Sequence, residues 1–204
     1  REKLDELKLL GARDVLKCDL LNDVESAKYF IQNNGINVLV NNAGVYNYSA
    51  LEDENEDTVR DIIRTNVEAP IILSKYVLKN MKEQKWGRIV NIGSISGVMG
   101  EANASVYSAS KSALIGFSKA LALETAQDNV TVNTINAGWV DTELGNVSIE
   151  DSEFSKEEIM EIIPQKRFVT PEEIARLIKY LLSDDARGIT GQSINLCAGL
   201  SVGY

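Results

Sequence analysis

The chain has 204 residues, two cysteines, no histidine, and 30 acidic against 21 basic residues, for a formal net charge of −9. Without histidine there is no Ser-His-Asp or Cys-His machinery and no His-ligated zinc site, so chemistry must come from Ser, Tyr, Lys, Asn, carboxylates or a cofactor. The acidic balance argues against nucleic acid, which needs a basic face, and against anionic membrane surfaces.

No apolar run reaches the ~20 residues of a membrane span. The expectation is a cytoplasmic protein in which Cys18 and Cys197 are buried free thiols. Hydrophobic content of 44% is enough for one α/β domain over residues 1–204.

In chain order, "DVLKCDL" (14–20), "VLVNNAG" (38–44), "RIVNIGS" (88–94), "VTVNTINAG" (130–138) and "SINLCAG" (193–199) read as strands. Their Val and Ile enrichment suits buried parallel strands. Helical patterns fall between them, at 22–33, 53–83, 104–127 and 171–183. The last opens on Thr170 as N-cap, with Pro171 at the first helical position and Glu172 and Glu173 in the first turn. Strand–helix alternation predicts an α/β fold with a doubly wound parallel sheet in three α/β/α layers. The polar segment 139–163 reads as an excursion that covers a site.

Ligands of open α/β sheets bind at the carboxyl ends of strands. Small residues gather there: Ala43 and Gly44, Gly93 and Ser94, Ala137 and Gly138. Tyr107 and Lys111 lie four residues apart on a helical pattern and so share a face. A tyrosine packed beside a solvated lysine is the competing reading of that pair.

Taken together, "NNAG" (41–44), "TN" (65–66), "GRIVNIGSISG" (87–97), "YSASK" (107–111), "NAGWVDT" (136–142) and "TGQSINLCAG" (190–199) resemble the short-chain dehydrogenase/reductase family over essentially the whole chain. Ser94 precedes Tyr107 by 13 residues, as in the family. Ala137 stands where the family has proline, and Cys197 and Ala198 where Asp and Gly are usual. A hydrolase nucleophile at Ser94 is disfavoured, because "GSISG" is not Gly-x-Ser-x-Gly and no histidine exists to activate a serine.

The resemblance implies a Rossmann-type domain transferring a hydride between NAD or NADP and a carbonyl or secondary alcohol. It implies Tyr107 as general acid–base, Lys111 as its activator and a ribose ligand, Ser94 on the substrate oxygen, and Asn66 holding a water in a proton relay. Lys111 is expected to lower the phenol's pKa.

For the cofactor it implies Asp19 and Leu20 at the adenine, Asn42, Ala43 and Gly44 at the adenosine ribose, and Tyr107, Lys111, Val140 and Thr142 at the nicotinamide half. A strand-end turn residue is the competing reading of Asp19. No metal is implied. It further implies a homotetramer paired through the 104–127 and 53–83 helices. Residues 87–127 most resemble the 3-oxoacyl carrier-protein reductases, so a 3-oxoacyl thioester or similar keto compound is the implied substrate.

An acyl carrier protein is disfavoured as partner: Lys85 is one cation suited to docking it, but Asp128 occupies the place for a second. Trp139, Met99 and Leu144 are candidates for an apolar substrate wall. A noncatalytic relative and a sugar-nucleotide epimerase are the alternatives, the latter usually carrying a larger C-terminal domain.

The family's glycine-rich turn occurs nowhere in the sequence, and "REKLDELKLLGARD" resembles the end of the helix before the third strand. The expectation is that the family's first strand–helix–strand is not in this sequence. Choice between NAD and NADP rests on that segment. In the family's strand order 3-2-1-4-5-6-7, residues 14–20 and 38–44 would then stand roughly 14 Å apart across a gap. Direct pairing between them would contradict the dehydrogenase reading.

Overall fold

The computed structural model describes residues 2–142, 145–146, 148–149 and 154–202. Four parallel strands form the sheet: β1 (Val38–Asn41), β2 (Gly87–Ser94), β3 (Val130–Ala137) and β4 (Ser193–Leu196), in the spatial order β1-β2-β3-β4. The registers Asn41↔Asn91 and Ser94↔Ala137 align the carboxyl ends that the sequence singles out. β3 is buried along its whole length, as expected of a central parallel strand covered on both faces.

The helices are α1 (Glu2–Leu9), α2 (Val24–Asn34), α3 (Glu56–Ile63), α4 (Ala69–Gln84), α5 (Ser96–Met99), α6 (Ser105–Thr125), α7 (Lys156–Ile162) and α8 (Pro171–Leu181). Alternate residues of the strands feed two cores. Ile89, Val130 and Val132 pack under α2, α4 and α6 with Ile31, Val77, Met81 and Leu121. Val90 and Ile135 turn the other way, onto Leu181, Ala186 and α8. Each fully buried aliphatic contributes roughly 1.5–3 kcal/mol. α8 begins as its sequence dictates, on a Thr170–Glu173 capping box with proline inside the first turn.

A buried polar chain ties the layers at sheet mid-height. Asn41 donates to Asn91 (2.7 Å), Asn91 to Ser118 (2.8 Å), and Thr134 to the same Ser118 hydroxyl (2.8 Å). Every link is hydrogen-bonded, which is the condition for tolerating amides in a core.

Residues 14–20 form no strand, contrary to the sequence reading. A strand needs a ladder partner, and β1 pairs with β2 alone. Among the described residues no backbone hydrogen bond joins 14–20 to 38–44, and the bonds near this run are local, Asn22 and Asp23 to the Asp19 carbonyl. The two runs do not pair directly; Cys18–Leu21 and Ala43–Tyr46 line one cleft of about 510 Å³. Leu16 is exposed, Val15 half-buried, and Val38, Leu39 and Val40 of the edge strand are half-buried.

The 53–83 pattern is also not one regular helix. Between α3 and α4 the chain widens into a π-helical segment, Arg64–Glu68, which carries Thr65 and Asn66. Such bulges re-aim side chains that a regular helix would place elsewhere.

Candidate active site

At the carboxyl edge, β2 delivers Ser94, α6 delivers Tyr107 and Lys111, and the π-bulge delivers Asn66. Close approach depends on two glycines. A Cβ on Gly97 would lie 2.7 Å from the Lys111 carbonyl carbon, so glycine there lets α5 rest on α6. A Cβ on Gly44 would lie 3.2 Å from Lys111 Nζ and 3.4 Å from Asn66 Oδ1. Gly44, Asn66 and Lys111 therefore converge on one point.

Asn66 is fully buried. Its Oδ1 accepts from the Val45 amide (2.9 Å), and its Nδ2 donates to the Val45 carbonyl (2.8 Å) and to Ser110 Oγ (3.1 Å). Ser110 in turn donates to the Tyr107 carbonyl (2.7 Å). The amide thereby clamps the loop after β1 to the helix that carries Tyr107 and Lys111.

Lys111 Nζ donates to the Ile92 carbonyl (3.0 Å) and sits 5.5 Å from the Tyr107 ring centroid. Burial destabilises its ammonium and lowers its pKa to about 8. Tyr107 is pushed up to about 12, chiefly by burial and further by the Glu101 charge, while a hydrogen bond with Ser94 pulls it down. The sequence expectation that Lys111 depresses the phenol is therefore not met in this geometry: desolvation outweighs the neighbouring cation, which faces the ring and bonds the strand.

The depressed Lys111 makes a stability prediction. Between pH 8 and its ordinary 10.5 the unfolded chain holds a proton that the folded chain has released, so stability rises with pH across that window. Below it, burying the ammonium costs roughly 3 kcal/mol, against about 1.5 kcal/mol or more returned by its charge-assisted hydrogen bond to Ile92. Lys111→Met should raise the melting temperature at pH 7, and its advantage should shrink towards pH 10. A lower melting temperature for the variant at pH 7 contradicts this.

A second set of side chains frames the site and escapes the motif reading. Ser94 donates to Ser96 Oγ (3.0 Å), which donates to Glu101 Oε2 (2.6 Å); Tyr46 donates to Glu101 Oε1 (2.9 Å). Tyr46 packs edge-on against Tyr107, with ring centroids 4.9 Å apart. Tyr46 follows "NNAG" and Glu101 lies between Ser94 and Tyr107, but no motif marks either of them.

Of the residues assigned to a cofactor, Leu20, Ala43, Gly44 and Asp19 line the 510 Å³ cleft. Asp19 also holds a turn, accepting from the Leu21 amide (3.0 Å) and from Asn22 (2.8 Å), and the Asn22 bond chiefly lowers its pKa. Asp19 thus holds a turn at the rim of that cleft. Asn42 is exposed just past β1. Val140 and Thr142 lie past β3, where Val140 bridges Val169 and its carbonyl accepts from the Thr142 amide (2.9 Å).

Other expectations separate. Trp139 stacks on Phe168 within the cluster that α7 closes, so it packs, while Met99 is exposed. Leu144 lies outside the described residues. Lys85 stands at the amino end of β2, remote from Ser94 at its other end, and pairs with Asp128 (2.5 Å). Cys197 is buried and Cys18 half-buried, both as free thiols. Among the described residues no cluster suits a metal ion, and no helix is long and apolar enough to cross a membrane.

Comparison with known proteins agrees with this arrangement. The family model described as "Enoyl-(Acyl carrier protein) reductase" matches residues 1–201. An oxidoreductase of Bacillus subtilis is 36% identical over 173 residues, covering 80% of this chain and 67% of the relative. The 3-oxoacyl-[acyl-carrier-protein] reductase of Salmonella typhimurium is 37% identical over 165 residues, covering 81% and 66%. The chain thus spans about two thirds of the length of these relatives.

Among solved structures, an actinorhodin polyketide ketoreductase variant with NADPH superposes with a TM-score of 0.91 at 34% identity, over 99% of this chain and 83% of that one. A parallel sheet with Ser94, Tyr107 and Lys111 at its carboxyl edge, a match along nearly the whole chain and relatives above one third identity lead to one assignment: the chain belongs to the short-chain dehydrogenase/reductase family.

Proposed function

We propose that this protein is an NAD- or NADP-dependent oxidoreductase that interconverts a ketone and a secondary alcohol, with Tyr107 as proton donor and acceptor. The observation that carries the reading is that Ser94, Tyr107, Lys111 and Asn66 are brought to one sheet edge, with Lys111 and Asn66 close enough to Gly44 that a Cβ there would press on both.

A dinucleotide fits the residues present in two of its parts. The cleft between Asp19–Leu20 and Ala43–Gly44 suits the adenosine, with Asn42 beside it, and Lys111, close to Gly44, would reach a ribose hydroxyl. Val140 and Thr142 would border the nicotinamide. No glycine-rich pyrophosphate turn occurs among the 204 residues. When bound, the dinucleotide supplies or accepts the hydride.

The chain's own groups handle the proton. At neutral pH the Tyr107 phenol is protonated and holds the proton that reduction needs, although its raised pKa makes it a weaker acid than a free phenol; oxidation needs its phenolate and gains as pH rises. Ser94 turns its hydroxyl from Ser96 to the substrate oxygen and stabilises charge developing there. Asn66 acts as a positioning residue. Its amide bonds Val45 and Ser110, and its Oδ1 keeps a lone pair for a relay water.

Substrate is a 3-oxoacyl thioester or a similar keto compound without a free carboxylate beside the reacting carbonyl. An acidic carrier protein is a poor partner, since Lys85 is neutralised by Asp128 at the far edge of the sheet. We further propose a homotetramer joined through α6 and the α3–α4 region, where Leu123, Ile63 and Ile71 are exposed; a monomer mass by light scattering would contradict it. Consumption of NADH or NADPH with a panel of ketones, followed at the nicotinamide absorbance, tests the activity; no turnover with any of them on either cofactor contradicts it.

A further inference from the structure

Two strands of loop meet over the site. The run after β1 holds the run after α5 through Tyr46 to Glu101, through Asn103 Nδ2 to the Tyr48 hydroxyl (3.0 Å), and through the Ser49 amide to the Asn103 carbonyl (2.6 Å). Glu101 is the charged group of this rim. It is half-buried, and its Oε2 is separated from Ser94 Oγ by the Ser96 hydroxyl alone, which places it no more than about 6 Å away. Among the described residues no lysine or arginine pairs with Glu101.

A substrate oxygen held by Ser94 and Tyr107 thus has a carboxylate as near neighbour. Each Glu101 oxygen accepts one bond within the rim and has lone-pair capacity for another donor. A substrate hydroxyl can donate to it. A substrate carboxylate meets like charge at short range in a partly desolvated site, where such repulsion is strong.

Resting on the oxidoreductase reading above, we propose that Glu101 is a specificity-determining residue: it favours ketones with a hydroxyl near the reacting carbonyl and rejects those with a carboxylate there. The position is not part of the motifs by which the chain resembles its family, and the role follows from its contacts with Tyr46 and Ser96.

The test compares kcat/KM for acetoacetate with that for its neutral analogue, in which a hydroxymethyl group replaces the carboxylate. The wild type should prefer the neutral ketone by about tenfold or more, a discrimination of ~1.4 kcal/mol. Glu101→Gln keeps the shape and removes the charge, and should bring the two within about threefold by raising turnover of acetoacetate. Tyr46→Phe keeps the charge and should keep the preference.

Equal turnover by the wild type, or an unchanged ratio in Glu101→Gln, overturns the proposal. The wild-type ratio decides even if the Gln variant fails to fold. Tyr107→Phe on the neutral ketone separates the two layers: loss of turnover there, with no effect of Glu101→Gln on the ratio, sinks the specificity role alone. Full activity of Tyr107→Phe sinks the oxidoreductase reading beneath it.

Discussion

Tyr107→Phe should cut ketone reduction by about 10²–10⁴-fold while leaving the fold and dinucleotide affinity nearly unchanged. The substitution deletes one hydroxyl. The ring's edge-on contact with Tyr46, at 4.9 Å, is kept, as is the Lys111 ammonium over its face. What disappears is the proposed proton donor and its hydrogen bond with Ser94. Loss in kcat with little change in dinucleotide Kd is the expected split, because the phenol acts on the substrate oxygen. Turnover within tenfold of wild type would remove Tyr107 from the chemistry.

Asn66→Ala should be the most damaging change to structure and activity together. The buried amide makes three hydrogen bonds, two to the Val45 backbone and one to Ser110. Truncation deletes all three and leaves a small cavity at the π-bulge. Each net hydrogen bond contributes ~0.5–1.5 kcal/mol and an orphaned buried group costs ~1–3, so a loss of roughly 2–4 kcal/mol follows.

For a chain of this size that corresponds to roughly a 5–15 °C fall in melting temperature. Gly44 and Val45 would then be free to move against Lys111, and kcat should fall with them even where the protein remains folded. Asn66→Asp keeps the acceptor for the Val45 amide but loses both donor bonds and faces the Val45 carbonyl with a buried charge, so it should be no more stable than Asn66→Ala. A melting temperature within a degree or two of wild type for the Ala variant would contradict the clamp.

The strands and helices of the central fold were legible because burial and period agree along them. "GRIVNIGS" and "VTVNTINA" are Val-, Ile- and Thr-rich runs bounded by turns and became β2 and β3; Thr170, Pro171 and Glu173 set the start of α8 where their capping chemistry requires. Residues 14–20 have the same local look. A strand, however, is a property of pairs, and a ladder partner is not encoded in the run itself. The π-bulge was invisible for a related reason: periodicity registers an apolar face and not one extra residue in a turn.

At the site, Ser94, Tyr107, Lys111 and Asn66 could be found because their spacing is a motif. Tyr46, Ser96 and Glu101 could not, since nothing in their types or intervals distinguishes them from loop residues until the two loops close on each other. The sign of the Tyr107 shift was misjudged because sequence shows that a lysine is one turn away, but not where its ammonium goes or how dry the site is.

The central claim is that this carboxyl edge moves a hydride between a nicotinamide and a carbonyl carbon, with Tyr107 supplying the proton. Incubation with NADH or NADPH deuterated at the transferable position of the nicotinamide, with a ketone substrate, followed by mass spectrometry of the alcohol, tests it most directly. The account predicts deuterium on the carbinol carbon in the wild type and its near absence with Tyr107→Phe. Alcohol formed without the label, or labelled equally by the Phe variant, would contradict it.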